Sequence, residues 1–254
     1  MGIRATTLHG WWGVAFCLLF AMWFASGIVM HFVPFPARYE RPMPPDLDMS
    51  RANTEQIDYD QWTVASAFDP DRPLTRIALN DGAETYLYMS SKSGRMVLAT
   101  TRSERALNYV GSIPHWLYVT ELRRHKRAWT ELMWWLSLLA TIGAALGVFV
   151  GVSRLRTGPV GSGLRRWHHI SGLVISPIVL GWIFSGFLSM DDGWLVPGND
   201  SLFRTLHTLD FNPLASHPAL RTATIVGLCI CGFAFSLSGA GLAWRLLCNR
   251  GRPQ

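Results

Sequence analysis

A chain of 254 residues that is 49% hydrophobic and only 16% charged falls short of the roughly 25% charge usual in soluble proteins. Its 12 Trp suit a membrane–water boundary, where an indole ring is buried and its N–H stays wet. The net charge is +6, yet outside the membrane-flanking segments no basic run is interleaved with surface aromatics, which argues for a membrane chain and against a nucleic-acid partner.

Residues 10–33 carry no charge apart from that available to His31. About 20 apolar residues span the hydrocarbon core as a helix, so this is the first expected transmembrane helix. It is too long for the apolar core of a signal peptide, and no convincing small-x-small cleavage site follows it.

Residues 35–113 are expected to form a small domain. Pro34, Pro36, Pro42, Pro44 and Pro45 make an extended exit from the membrane. Residues 52–68 read as one helix. Runs 75–79, 84–89 and 96–100 read as strands, separated by Asp81-Gly82 and by a Ser-rich turn ending at Gly94. The expectation is a helix packed on a small antiparallel sheet. The domain carries no helical H-E-x-x-H and no His before His115.

Residues 114–131 combine Trp116, Tyr118, Arg123, Arg124, Arg127 and Trp129, an interfacial composition. Residues 132–153 form the second expected span, 154–167 a loop, 168–190 the third span with Pro177 near its middle, 191–221 a second loop, and 222–247 the fourth span. Cys17, Cys229, Cys231 and Cys248 lie in or beside these apolar runs and read as small apolar filler. No C-x-x-C-H for covalent haem is present.

Lys and Arg orient the spans. Arg4, Arg154, Arg156, Arg165, Arg166, Arg245, Arg250 and Arg252 occupy the two tails and the 154–167 loop or its edges, with no acidic residue beside them. All 17 Asp and Glu lie in 34–131 and 191–221. Both termini are therefore expected in the cytoplasm, with residues 35–113 outside.

The eight His gather at the membrane boundaries. His9 and His31 lie at the inner and outer ends of the first span, and His168 and His169 at the inner start of the third. His115 and His125 precede the second span, and His207 and His217 the fourth. A neutral imidazole ligates metals and haem iron through one ring nitrogen, and ionisable residues inside a membrane point to function. A non-covalent haem b needs two His on different helices. His9 with His168 or His169 meets that condition inside; His115 with His207 meets it outside, with His31 and His125 as alternatives. His9 and His31 are about 33 Å apart on one helix, so two haems are expected, one near each face. Arg165, Arg166 and Arg204 are candidates to pair with haem propionates, or serve as topology determinants.

Leu8-His9-Gly10-Trp11-Trp12-Gly13 with Ala25-Ser26-Gly27, and Arg166-Trp167-His168-His169-Ile170-Ser171-Gly172 with Phe184-Ser185-Gly186, resemble the PepSY-associated transmembrane helix family. Segments 76–79, 86–89 and 94–98 resemble its extracytoplasmic PepSY domain. The resemblance covers nearly the whole chain. It implies a mainly α membrane protein, a four-helix transmembrane bundle with a small α+β PepSY-like domain between helices one and two. The family includes bacterial inner-membrane proteins that bind haem b and reduce ferric siderophores in the periplasm. The resemblance implies His9 with His168 or His169 as haem ligands, and His207 as a further one. No G-x-G-x-x-G is present, so the electron donor is expected to be a quinol or a separate reductase. The resemblance implies ferric iron in a siderophore or other chelate as the acceptor, with a transport partner as a further expectation. The alternative is a non-enzymatic anchored PepSY domain that binds or regulates a protease or transporter.

Overall fold

The computed structural model describes residues 2–45, 47, 49–157, 161–190 and 200–250. Its backbone divides into two compact units, residues 29–129 and the remainder.

The helical unit is built on four long helices, α1 (Gly2–Phe32), α5 (Lys126–Leu155), α6 (Gly163–Ser189) and α9 (Pro218–Arg250). All four are long and apolar enough to cross a membrane, the build of a multi-pass membrane protein. The shortest has 27 residues, about 40 Å of helix, so each reaches beyond a hydrocarbon core of about 30 Å. Their outer faces are apolar: Leu18, Val174 and Trp244 are each 68% exposed. Large apolar surfaces of this kind suit lipid rather than water. Inside, Phe24, Val179, Ile225 and Cys229 form a core joined by Phe20, Ile175 and Trp182. Buried Ser26, Ser185 and Ser236 return their hydroxyls to carbonyls three or four residues back in their own helices.

The helices meet in a ring. Trp12 of α1 donates its indole N–H to Leu139 O of α5 at 3.0 Å. Trp134 of α5 packs on Phe187 of α6. Phe235 of α9 lies against Gly172 of α6, and Phe24 of α1 against Gly232 of α9. Two short helices, α7 (Asp200–His207) and α8 (Asn212–Ala215), precede α9. The loop expected over 191–221 begins with residues 191–199, which lie outside the described residues, as do 158–160 of the 154–167 loop.

The second unit is a four-stranded antiparallel meander, β1 (Asn53–Ile57), β2 (Leu74–Ala78), β3 (Tyr86–Ser90) and β4 (Met96–Thr100), in the order β1-β2-β3-β4. The three expected strands are present, with ends shifted by a residue or two. The helix expected over 52–68 is not. Asn53–Ile57 instead pairs along β2, from Asn53↔Ala78 to Ile57↔Leu74. Asp60 then stops the chain from winding: its Oδ1 accepts from the backbone N–H of Trp62 and Thr63, an Asx turn that competes with helix. A 3-10 turn over Ser66–Asp71 follows.

Both faces of the sheet are covered. Trp62, Phe68, Leu74, Tyr88, Val97 and Leu98 form one core, and Ile77, Leu87 and Met96 the other, closed by Tyr39, Met43 and Leu47 of the Pro-rich exit. That exit also pairs with β4, Arg41 and Met96 exchanging both backbone hydrogen bonds at 2.9 Å, which protects an otherwise open edge. The helix α2 (Arg102–Val110) follows β4 behind a Thr101–Glu104 capping box. It is the helix the sheet carries, and it lies after the strands rather than before them. Residues 114–131 hold the end of α3 (Ser112–His115), α4 (Thr120–Arg123) and the start of α5.

Candidate functional site

α1 and α6 each carry His near their N-terminal ends. The ring of His9 on α1 meets that of His168 on α6, with centroids 6.5 Å apart and planes tilted by 30°. His168, not His169, is the ring in this contact. Metal–imidazole bonds are about 2 Å long, so two rings sharing one metal ion from opposite sides have centroids roughly 6 Å apart. The observed spacing fits that arrangement.

Each ring is seated by a glycine of the next long helix. A Cβ on Gly147 of α5 would lie 3.0 Å from His9 Cε1, and one on Gly239 of α9 would lie 3.3 Å from His168 Cε1 and 2.7 Å from Cys17 Sγ. His168 also stacks on Phe235 of α9, at 4.7 Å and 7°. Its Nδ1 lies 2.7 Å from Ser238 Oγ, and Ser238 donates its own proton to Phe235 O at 2.6 Å. Ser238 therefore accepts from Nδ1–H, and His168 keeps a lone pair on Nε2, the tautomer a metal ligand needs. His9 Nδ1 is buried and has no hydrogen-bond partner; His169 Nε2 is in the same state. Orphaned buried ring nitrogens are rare, and a bound metal or cofactor is one thing that would satisfy them.

His207 ends α7 in the same unit. Its Nδ1 donates to Trp182 O at 3.1 Å, and Trp182 Nε1 returns a hydrogen bond to His207 O at 2.6 Å. A carbonyl only accepts, so Nδ1 carries the proton and Nε2 the lone pair. A Cβ on Gly186 would stand 2.8 Å from His207 Cε1. Burial pushes the His207 pKa below its usual value, and the hydrogen bond to Trp182 opposes that shift.

His31 stands edge-on to Phe32, with centroids 5.1 Å apart. His115 ends α3 and is half-buried. Both belong to the sheet unit, as does His125, whose Nε2 accepts from Arg124 at 3.2 Å. Arg165, Arg166 and Arg204 are exposed. The side chains of Arg4 and Arg250, and the whole of Arg252, lie outside the described residues. Among the described residues no group of three or more His, Cys, Asp or Glu is gathered for a metal ion; axial ligation of haem asks for only two.

The sequence reading did not single out Ser238, Phe235 or Trp182. One signal was available for Trp182. His, Trp, Ser and Gly recur at 9, 23, 26 and 27 and again at 168, 182, 185 and 186, so α1 and α6 present the same series. Nothing local marks Ser238, which stands 70 residues from His168. No protein-family model, no curated protein and no solved structure matches the chain significantly.

Proposed function

We propose that this chain is a haem b oxidoreductase of the bacterial inner membrane, passing electrons across it to a periplasmic acceptor, ferric iron in a siderophore or other chelate. Both termini lie in the cytoplasm and the sheet unit in the periplasm, following the sorting of Arg and acidic residues. The resemblance to PepSY-associated membrane proteins points the same way. One observation carries the reading: His9 and His168, from different helices of an apolar bundle, stand 6.5 Å apart with ring nitrogens left for a ligand.

Haem held between two His supplies a one-electron iron couple. The chain does the rest. His9 and His168 would hold the group between them. Gly147 and Gly239 leave room for the two rings, and Phe235 stacks on His168 and shields it from water. Ser238 holds its tautomer. Trp182 fixes the His207 tautomer, and His207 is the candidate that the resemblance offers for a second haem. The electron donor is a quinol or a separate reductase.

The test is an optical spectrum with haem-to-protein stoichiometry on the full chain, purified in detergent from haem-replete cells. A Soret band is expected, with haem content falling in His9→Ala and in His168→Ala. Protein without haem absorbance would overturn the reading and leave an anchored binding domain. Full haem content in both variants would overturn the ligand assignment.

A further inference from the structure

The helix α2 is built inside out. The face it turns into the sheet unit is polar. Arg105 is 8% exposed and Asn108 fully buried. Arg105 donates to Thr100 O, Thr100 Oγ1 and Glu84 O, and its guanidinium lies 3.7 Å from the centroid of the Tyr86 ring. The face it turns outward is apolar: Leu107 is 42% exposed, and Tyr109 and Val110 are 58% each. A helix on a water-soluble domain shows the opposite order. Leu107 and Val110 are turned away from both cores of the unit, Tyr109 keeps an edge contact with Trp62 at 5.6 Å while staying largely exposed, and apolar side chains so displayed suit a medium other than water.

The neighbours of α2 bear on which medium that is. Gly111, directly after α2, lies against the last turn of α1: a Cβ there would stand 2.9 Å from Val29 Cγ1. Asn108 Nδ2 reaches Pro34 O, two residues beyond the end of α1, at 3.4 Å. The C-terminal end of α2 is thus held against the last turn of α1, whose final residue, Phe32, is itself 61% exposed. Arg102, Ser103 and Glu104 occupy the remote end.

We infer that Leu107, Tyr109 and Val110 insert into the headgroup–acyl boundary of the bilayer, so that α2 is a lipid-contacting foot of the sheet unit. Apolar side chains carried by a polar-backed helix favour that layer, and Tyr favours it further because its ring is apolar and its hydroxyl wet. The foot fixes the sheet unit to the membrane beyond its two covalent links. It rests on the membrane reading of α1 alone, not on haem.

The test places a spin label at Val110→Cys, and a control label at Lys92→Cys in the exposed β3–β4 turn. Both are made in the full chain with its four native Cys replaced, reconstituted in phosphatidylethanolamine–phosphatidylglycerol nanodiscs. Relaxation by oxygen, which concentrates in lipid, is compared with relaxation by a water-soluble nickel chelate. The label at 110 is expected to favour oxygen several-fold over the label at 92. Equal, water-like accessibility at the two positions would overturn the inference. Shielding of the label at 110 from both reagents, with spin–spin broadening, would overturn it in favour of a second copy of the chain. The chain with its natural Cys, in nanodiscs holding a phospholipid with a diazirine near the headgroup, provides a second reading. Adducts are expected on residues 107–110. Labelling of α1 and α5 with none at 107–110 would overturn the inference.

Discussion

The hydroxyl of Ser238 gives its proton to Phe235 O and takes one from His168, so a single oxygen decides which nitrogen of that ring is open. Partners of this kind are typically worth 10–100-fold in metal affinity. Ser238→Ala is expected to keep the fold and the Soret band but to release haem to a competing apoprotein about ten-fold faster, while Ser238→Thr retains the wild-type rate. An unchanged rate in the Ala variant would deny Ser238 this role. In the sheet unit, Asp71 accepts from Arg38 Nε and Nη2 at 2.7 and 3.2 Å, with its side chain 6% exposed. The Arg38 hydrogen bonds hold the Asp71 carboxyl below the usual carboxylate range, against the opposing effect of burial. A carboxyl with a depressed native pKa contributes stability that is fully present above its unfolded value of about 4. That contribution is lost as pH falls through the native value. Asp71→Asn is therefore expected to cost about 2 kcal/mol near neutral pH and progressively less in acid. Hydrogen exchange of the β2 and β3 amides, followed from neutral pH downward, checks both the cost and its disappearance.

At the scale of elements, the site depends on how closely neighbouring helices approach. Gly147 is the point at which α5 meets the His9 ring, leaving 3.0 Å to a would-be Cβ. Overpacking of such a contact costs about 1–3 kcal/mol. Gly147→Leu is expected to displace His9 and remove most of the haem, measured as haem per protein. Gly227→Ala, where no atom lies within 4 Å of the added Cβ, is expected to change nothing. The elements also show where a one-dimensional reading stops. Long apolar runs are legible because lipid leaves the backbone no partner but its own helix. The segment 52–68 is not, because β1 is an edge strand whose residues are nearly all exposed. It carries no alternation to read, and its pairing with β2 is a tertiary fact. α2 is hidden in the sequence for a related reason: its exposed side carries Leu107 and Val110 and its buried face is Arg105 and Asn108, the reverse of the pattern that announces a helix on a domain.

Across the whole molecule, two units with separate cores divide the work. The helical unit holds His9, His168 and His207, and the sheet unit holds His31, His115 and His125. Composition and hydropathy by themselves determined the number of long apolar helices and the place of the His near their ends. These are properties of contiguous residues, and the energetic demand of a membrane acts on each segment alone. Only the tertiary structure decided that His168 rather than His169 meets His9. Successive residues on a helix point about 100° apart, and the partner helix selects between them. It also decided that Ser238 and Phe235 of α9 hold that ring, because a hydrogen bond and a stacked face join residues about 70 positions apart, a separation over which sequence carries no local periodicity.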